Sequence, residues 1–179
     1  MPASVLLPVA VFVAMGVVVV AALWRLMIVG GRARRSTQGL RTASDIAHRA
    51  EMLIADTAAG LEGLRHHGQD VPGAAETTAA GTGRLTALAA EAKTVRDRTG
   101  DPAVAALVVD LERALRSMQL IEHGRQVILQ GESVNGEGET SVKRGYLNLL
   151  HAREAIRQRG IEIRAASAAP AGRVPVNRT

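Results

Sequence analysis

Residues 40–64 read LRTASDIAHRAEMLIADTAAGLEGL. Within them Leu40, Ala43, Ala47, Ala50, Ile54, Thr57, Leu61 and Leu64 recur at alternating three- and four-residue steps. That spacing keeps one narrow apolar seam on one side of an α-helix, as in coiled coils and helical bundles. The seam predicts a helix over residues 37–67, roughly 45 Å long at about 1.5 Å per residue. Gly68 and the turn-forming run Gln69-Asp70-Val71-Pro72-Gly73 then stop it.

Downstream the same periodicity returns. Leu85, Leu88, Ala92 and Val95 mark a second helix ending at Gly100, whose start is ambiguous because Gly81 and Gly83 weaken residues 73–82 as helix. A third helix opens on Asp101 as N-cap with Pro102 in the first helical position, and its apolar face runs from Val104 through Leu107, Leu111, Leu115, Met118 and Ile121 to Ile128. Gly131 to Glu139 form a Gly- and acid-rich break containing the turn pair Asn135-Gly136. A fourth helix carries Val142, Tyr146, Leu149, Leu150, Ile156 and Ile163, with its last turns weakened by Gly160. The fold class is therefore all-α: a soluble helical domain over 37–165, built as an antiparallel bundle or as coiled-coil-like hairpins of three to four helices. A disordered tail is expected over 166–179, where Ala, Pro, Gly and Arg follow one another without periodicity.

Upstream, Val5 to Trp24 is an uncharged stretch of 20 residues, about 30 Å as a helix and so matched to the hydrocarbon thickness of a bilayer. Trp24 and Arg25 suit an interfacial anchor, and Met27, Ile28 and Val29 prolong the apolar run. We read 5–29 as a single N-terminal transmembrane helix, 1–4 as a short flank and 30–36 as a basic juxtamembrane linker. The charges follow the apolar core instead of preceding it, which argues against a cleaved signal peptide. Arg32, Arg34 and Arg35, with Arg41 beyond them, place the C-terminal side in the cytoplasm and the N-terminus outside by the positive-inside rule.

Composition narrows the function. The net charge of +5 resides in the first 44 residues, which hold five arginines and no acid, while the remaining 17 basic side chains are balanced by 17 acidic ones. With Tyr146 the only aromatic after Trp24, the domain has neither the basic excess nor the stacking platforms of a nucleic-acid binder. The absence of cysteine excludes disulfides, thiolate metal sites and cysteine nucleophiles. The dominance of Arg over Lys, with abundant Ala, Gly and Val, has the look of GC-rich bacterial coding.

No residue pattern assembles a reaction. The histidines His48, His66, His67, His123 and His151 include no Glu-x-x-His pair of the kind that builds di-iron bundles, and Glu62 with His66 is more simply a solvated helix face. Gly136-Glu137-Gly138-Glu139-Thr140-Ser141 lacks the Lys-Ser/Thr of a phosphate loop, and the alternating Asp/Asn ligands of a calcium loop are missing. Glu132, Asn135, Glu137 and Glu139 are read as an exposed turn and as the best candidate contact loop. The mixed charges Glu112, Arg113, Arg116, Arg153, Glu154, Arg157 and Arg159 fit either a partner-docking face or plain solvated surface. The sequence thus leads to a non-enzymatic, membrane-anchored scaffold or adaptor with no cofactor or metal. Its expected partners are the lipid bilayer and a protein partner or a second copy through the helical seams; neither nucleic acid nor a small-molecule substrate is indicated. The alternative is a signalling or envelope-associated sensor with the bundle on the extracytoplasmic side.

Overall fold

A computed structural model of the chain describes residues 37–67, 73–131 and 136–168. The apolar stretch 5–29, the linker 30–36 with Arg32, Arg34 and Arg35, the loop residues Glu132 and Asn135, and most of the expected tail lie outside the described residues. Among the described residues everything folded is helix, and no helix is long and apolar enough to cross a membrane.

Five helices follow one another: α1 (residues 37–60), α2 (Glu62–His67), α3 (Ala74–Thr99), α4 (Pro102–Leu129) and α5 (Glu137–Ala168). The helix expected over 37–67 is thus interrupted at Leu61, whose N–H is shared between the Thr57 and Ala58 carbonyls at 3.1 and 3.2 Å. The cause is local: Gly60 weakens the turn, and Thr57 Oγ1 donates back to the Leu53 carbonyl at 2.7 Å, a bond that bends helices. The α3 to α4 junction needs only Gly100 and Asp101. Gly100 adopts φ 64° and sends its N–H to the Arg96 carbonyl, a left-handed conformation that a residue with a Cβ adopts only under strain. Asp101 then caps α4, its Oδ1 accepting from the N–H groups of Ala103 at 2.8 Å and Val104 at 3.4 Å, with Pro102 at the first position as expected.

Cross-helix contacts fix an up-down-up-down ring. Gly60 lies against Thr77 and Arg49 against Glu91 (α1 to α3); Gly81 lies against Met118 and Lys93 against Glu112 (α3 to α4). Gly124 meets Gly138 and Gly145 meets Ile121 (α4 to α5), while Ala47 meets Gly160 and Glu51 meets Arg153 (α5 back to α1). All eight seam residues quoted from 40–64 are buried, as are Leu85, Leu88, Ala92 and Val95 of α3 and most of the apolar positions read on α4 and α5. They form one continuous core within a single chain, so a rod that completes its core only by pairing with another copy is not needed.

Three boundaries differ from expectation. Residues 73–82, left open between helix and loop, are helical from Ala74, because Ala74, Thr78 and Gly81 face the core. Glu137 and Glu139 belong to the first turn of α5 and not to the preceding loop. Gly160 does not end α5; it is buried against Ala47, and the helix runs to Ala168, three residues into the segment expected to be disordered.

The tightest packing is between α4 and α5. A Cβ built on Gly124 would stand 2.6 Å from the Gly138 carbonyl oxygen, and one on Gly145 would stand 2.7 Å from Ile121 Cγ1 and 3.0 Å from the Ser117 carbonyl oxygen. The obstacle there is backbone as well as side chain, so relief requires moving a helix. Gly83, in contrast, is exposed mid-helix with open space around it. Gly145→Ala is therefore expected to destabilise the bundle by about 1–3 kcal/mol through overpacking, whereas Gly83→Ala should stabilise it by about 0.5–1 kcal/mol through helix propensity. Thermal unfolding of the full chain in non-ionic detergent, followed by far-UV circular dichroism, measures both; equal signs for the two variants would contradict the packing described.

Candidate functional site

Of the contact-loop residues read from the sequence, the described part of the chain places Glu137 and Glu139, both exposed at the α5 N-terminus. Negative charge is favourable there because the first turn presents unpaired N–H groups, and Glu139 also reaches Lys143 one turn on at 3.8 Å. His48, His123 and His151 are exposed on α1, α4 and α5. Among the described residues no group of three His, Asp or Glu side chains comes together to hold a metal ion. Trp24, Arg25, Arg32, Arg34 and Arg35 lie outside the described residues.

Of the charged residues picked out on α4 and α5, Glu112, Arg153 and Arg159 pair across to neighbouring helices, while Arg113, Arg116, Glu154 and Arg157 bond within their own helix. One ion pair spans each side of the ring: Arg49 to Glu91 at 2.9 Å, Lys93 to Glu112 at 2.9 Å, Arg159 to Asp110 at 3.7 Å, and Arg153 to Glu51 at 3.9 Å. All four sit in the half of the bundle that holds the α3 to α4 turn, so they form a belt. Arg49 Nη2 reaches both Glu91 carboxylate oxygens at 2.9 Å, while its Nε lies 3.3 Å from Asp45 one turn back on α1. Lys93 hydrogen-bonds Glu112 and holds its carboxyl below the usual value, and the Arg157 fork does the same to Glu154 within α5. These exposed pairs are screened by solvent and add little to stability.

Asp110 is the exception in the belt, with only 8% of its side chain exposed. Its Oδ1 lies 3.4 Å from Arg113, while Oδ2 and the facing Arg159 Nε are 3.7 Å apart and neither makes a hydrogen bond. Arg159 is held in turn by Glu162 at 2.6 Å. Burial of this acid is tolerated because two guanidinium groups flank it.

Three grooves lie between neighbouring helices. The α1 to α3 groove, about 530 Å³, is roofed by the Arg49 to Glu91 pair over Leu53, Leu88 and the half-exposed Met52. The α3 to α4 groove, about 590 Å³, exists because α3 presents Ala75, Ala79 and Gly83 opposite Met118, Glu122 and Gln126. The α1 to α5 groove, about 370 Å³, has a floor of Ala47, Ile156 and Gly160 and carries Ser44, His48, Glu51, Arg157, Ile161 and Arg164. Ser44 is 8% exposed, and among the described residues its hydroxyl has no hydrogen-bond partner. Sequence reasoning missed this groove by treating Gly160 as a helix weakness. The available signal was that Ser44 lies one helical turn before the seam residue Ala47, beside the seam and not opposite it.

Glu122, on the rim of the α3 to α4 groove, is gripped at 2.8 and 3.0 Å by the buried Arg125. That grip, helped by Gln126, holds the Glu122 carboxyl below its ordinary value of 4.5 although partial burial works the other way. The chain matches no family model, no curated protein and no solved structure.

Because the folded pKa of Glu122 lies below its unfolded value, its contribution to stability is complete above about pH 4.5 and is lost as the pH falls through the folded value. Glu122→Gln should therefore lower the melting temperature at pH near 7, and its gap to the parent chain should narrow progressively below about pH 4.5. Melting curves recorded across that range test this; a gap independent of pH would contradict it.

Proposed function

We infer that this chain is a membrane-anchored, non-enzymatic helical scaffold whose bundle is offered to a cytoplasmic protein partner. The observation that carries the reading is the order of segments: an uncharged run long enough to span a bilayer, then Arg25, Arg32, Arg34 and Arg35 on one side of it only, then a charge-balanced bundle. The bundle supports the scaffold role in two ways. Most of its apolar side chains are gathered in one internal core that holds the helices together, and its belt of ion pairs ties each helix to the next. What it turns outward is long helix surface with shallow grooves, the form that suits recognition by another helix or an extended segment. Trp24 and the arginines then act as interfacial anchors, with the cell membrane as the site of attachment and the N-terminus outside.

The chain has no cysteine, so a single introduced one reports topology cleanly. Thr86 is exposed on α3, and Thr86→Cys is expected to react with a membrane-impermeant maleimide only after cell lysis, while the protein stays in the membrane pellet through carbonate extraction. Deleting residues 5–29 should move it to the supernatant. Labelling in intact cells would reverse the orientation, and release of the full chain by carbonate would remove the anchor from the account.

A further inference from the structure

We propose that the groove between α1 and α5 is a binding site for a monoanionic carboxylate carried on a short apolar body. The groove joins three features that such a ligand needs. Its floor is apolar and low: Ile156 is fully buried, Gly160 has no side chain, and Ala47 lies close enough that a Cβ on Gly160 would be 3.1 Å from it. Its wall holds Ile161, which leaves 51% of its surface exposed although it is one of the larger apolar side chains of α5. An apolar group laid on Gly160 would cover the exposed side of Ile161 and rest on the floor above Ile156.

The polar elements are as specific. Ser44 opens into the groove with its hydroxyl unpartnered among the described residues, although nine-tenths of the residue is buried. The hydroxyl is not sealed in, since the buried unpaired polar atoms among the described residues are Asp110 Oδ2 and Arg159 Nε, so Ser44 Oγ stands open at the groove to hydrogen-bond a ligand oxygen. The Arg164 guanidinium makes no ion pair among the described residues and, exposed at the groove, lines it together with His48. Arg157 is already committed, since its Nε and Nη2 donate to both oxygens of Glu154 at 3.0 and 2.8 Å. Glu51 lies on the opposite wall, 3.9 Å from Arg153. One uncommitted guanidinium facing a resident carboxylate suits a single negative charge and disfavours a dianion such as a phosphate monoester, which Glu51 would repel.

The size agrees, because about 370 Å³ is at the small end of ligand clefts, which run from roughly 300 to 1,000 Å³. A free branched carboxylic acid and the apolar C-terminal residue of a peptide present the same chemistry to this groove. The site depends on the bundle alone and not on membrane attachment, so it stands or falls separately from the anchor.

The test uses the full chain in non-ionic detergent with carbon-13 labelled isoleucine methyl groups. Ile156 and Ile161 report the groove, while Ile46, Ile54 and Ile121 report the core and show that each variant is folded. The probes are isocaproate as a free acid, N-acetylleucine as a peptide-like carboxylate, and isocaproamide as the uncharged counterpart. Saturable shifts of the Ile156 and Ile161 methyls are expected with at least one of the two carboxylates, and which binds tighter tells a free acid from a peptide end. Isocaproamide should bind at least tenfold more weakly than isocaproate. Arg164→Gln should weaken carboxylate binding by about tenfold, and Ser44→Ala by severalfold. Absence of shifts with both carboxylates overturns the proposal. So does an amide that binds as well as the acid, or binding that neither variant alters.

Discussion

The backbones of α4 and α5 touch where Gly124 meets Gly138 and where Gly145 meets Ile121 and Ser117, and the rest of the bundle is arranged around that contact. Helices carrying ordinary side chains keep their axes about 8–10 Å apart; removing the Cβ lets this pair draw closer. Ala152 continues the line of Gly138 and Gly145 at a seven-residue spacing on α5, and Gly124, Ser117 and Asp110 repeat it on α4. Because a small residue leaves no side chain to interdigitate, the bulk that fills the core comes from the flanking rows: Leu111, Met118 and Ile121 on one helix, Leu149 and Ile156 on the other. α1 and α3 then close the remaining sides with Leu, Ile and Ala.

This constraint also explains how a core with Tyr146 as its single aromatic closes. Phe and Trp supply area by size; here area is gained by proximity, with small residues allowing many atoms into van der Waals range. The belt of cross-helix ion pairs adds little energy per pair but ties each helix to the neighbour it must have. Asp110 goes further, since its carboxylate is buried between Arg159 of α5 and Arg113 of α4, and a neighbour without a cation at that level would leave it poorly compensated.

The core was legible in the sequence wherever periodicity carries the information. Every seam position from Leu40 to Leu64 is buried, and the Asp101-Pro102 start of α4 is found as read, because capping is a local matter of one side chain and two N–H groups. What could not be read depends on neighbours that are distant in sequence. Propensity lowers the helix at Gly81, Gly138, Gly145 and Gly160, yet each packs against another helix, with no room for a Cβ at Gly138 and Gly145 and close side-chain contact at Gly81 and Gly160, and tertiary packing prevails. Charge patterning likewise looks the same on a free surface and on a ring of inter-helix pairs; only the partner helix distinguishes them. The candidate site was the least legible part. The acidic loop attracted attention by composition, but its described members are the solvated first turn of α5, whereas the α1 to α5 groove is made by Ser44 and Gly160, residues that look ordinary one at a time.

If α4 and α5 are the pair on which the others depend, their centre should be the last part of the molecule to open. Native-state hydrogen exchange on the full chain measures this residue by residue, because protection reports the free energy of the opening that exposes each amide. The account predicts that amides from Ala114 to Gly124 and from Val142 to Ala152 exchange only with global unfolding, and that those from Ala74 to Gly83, on the small-residue half of α3, exchange through cheaper local opening. Protection in the first half of α3 equal to or above that of the α4 to α5 centre would contradict it.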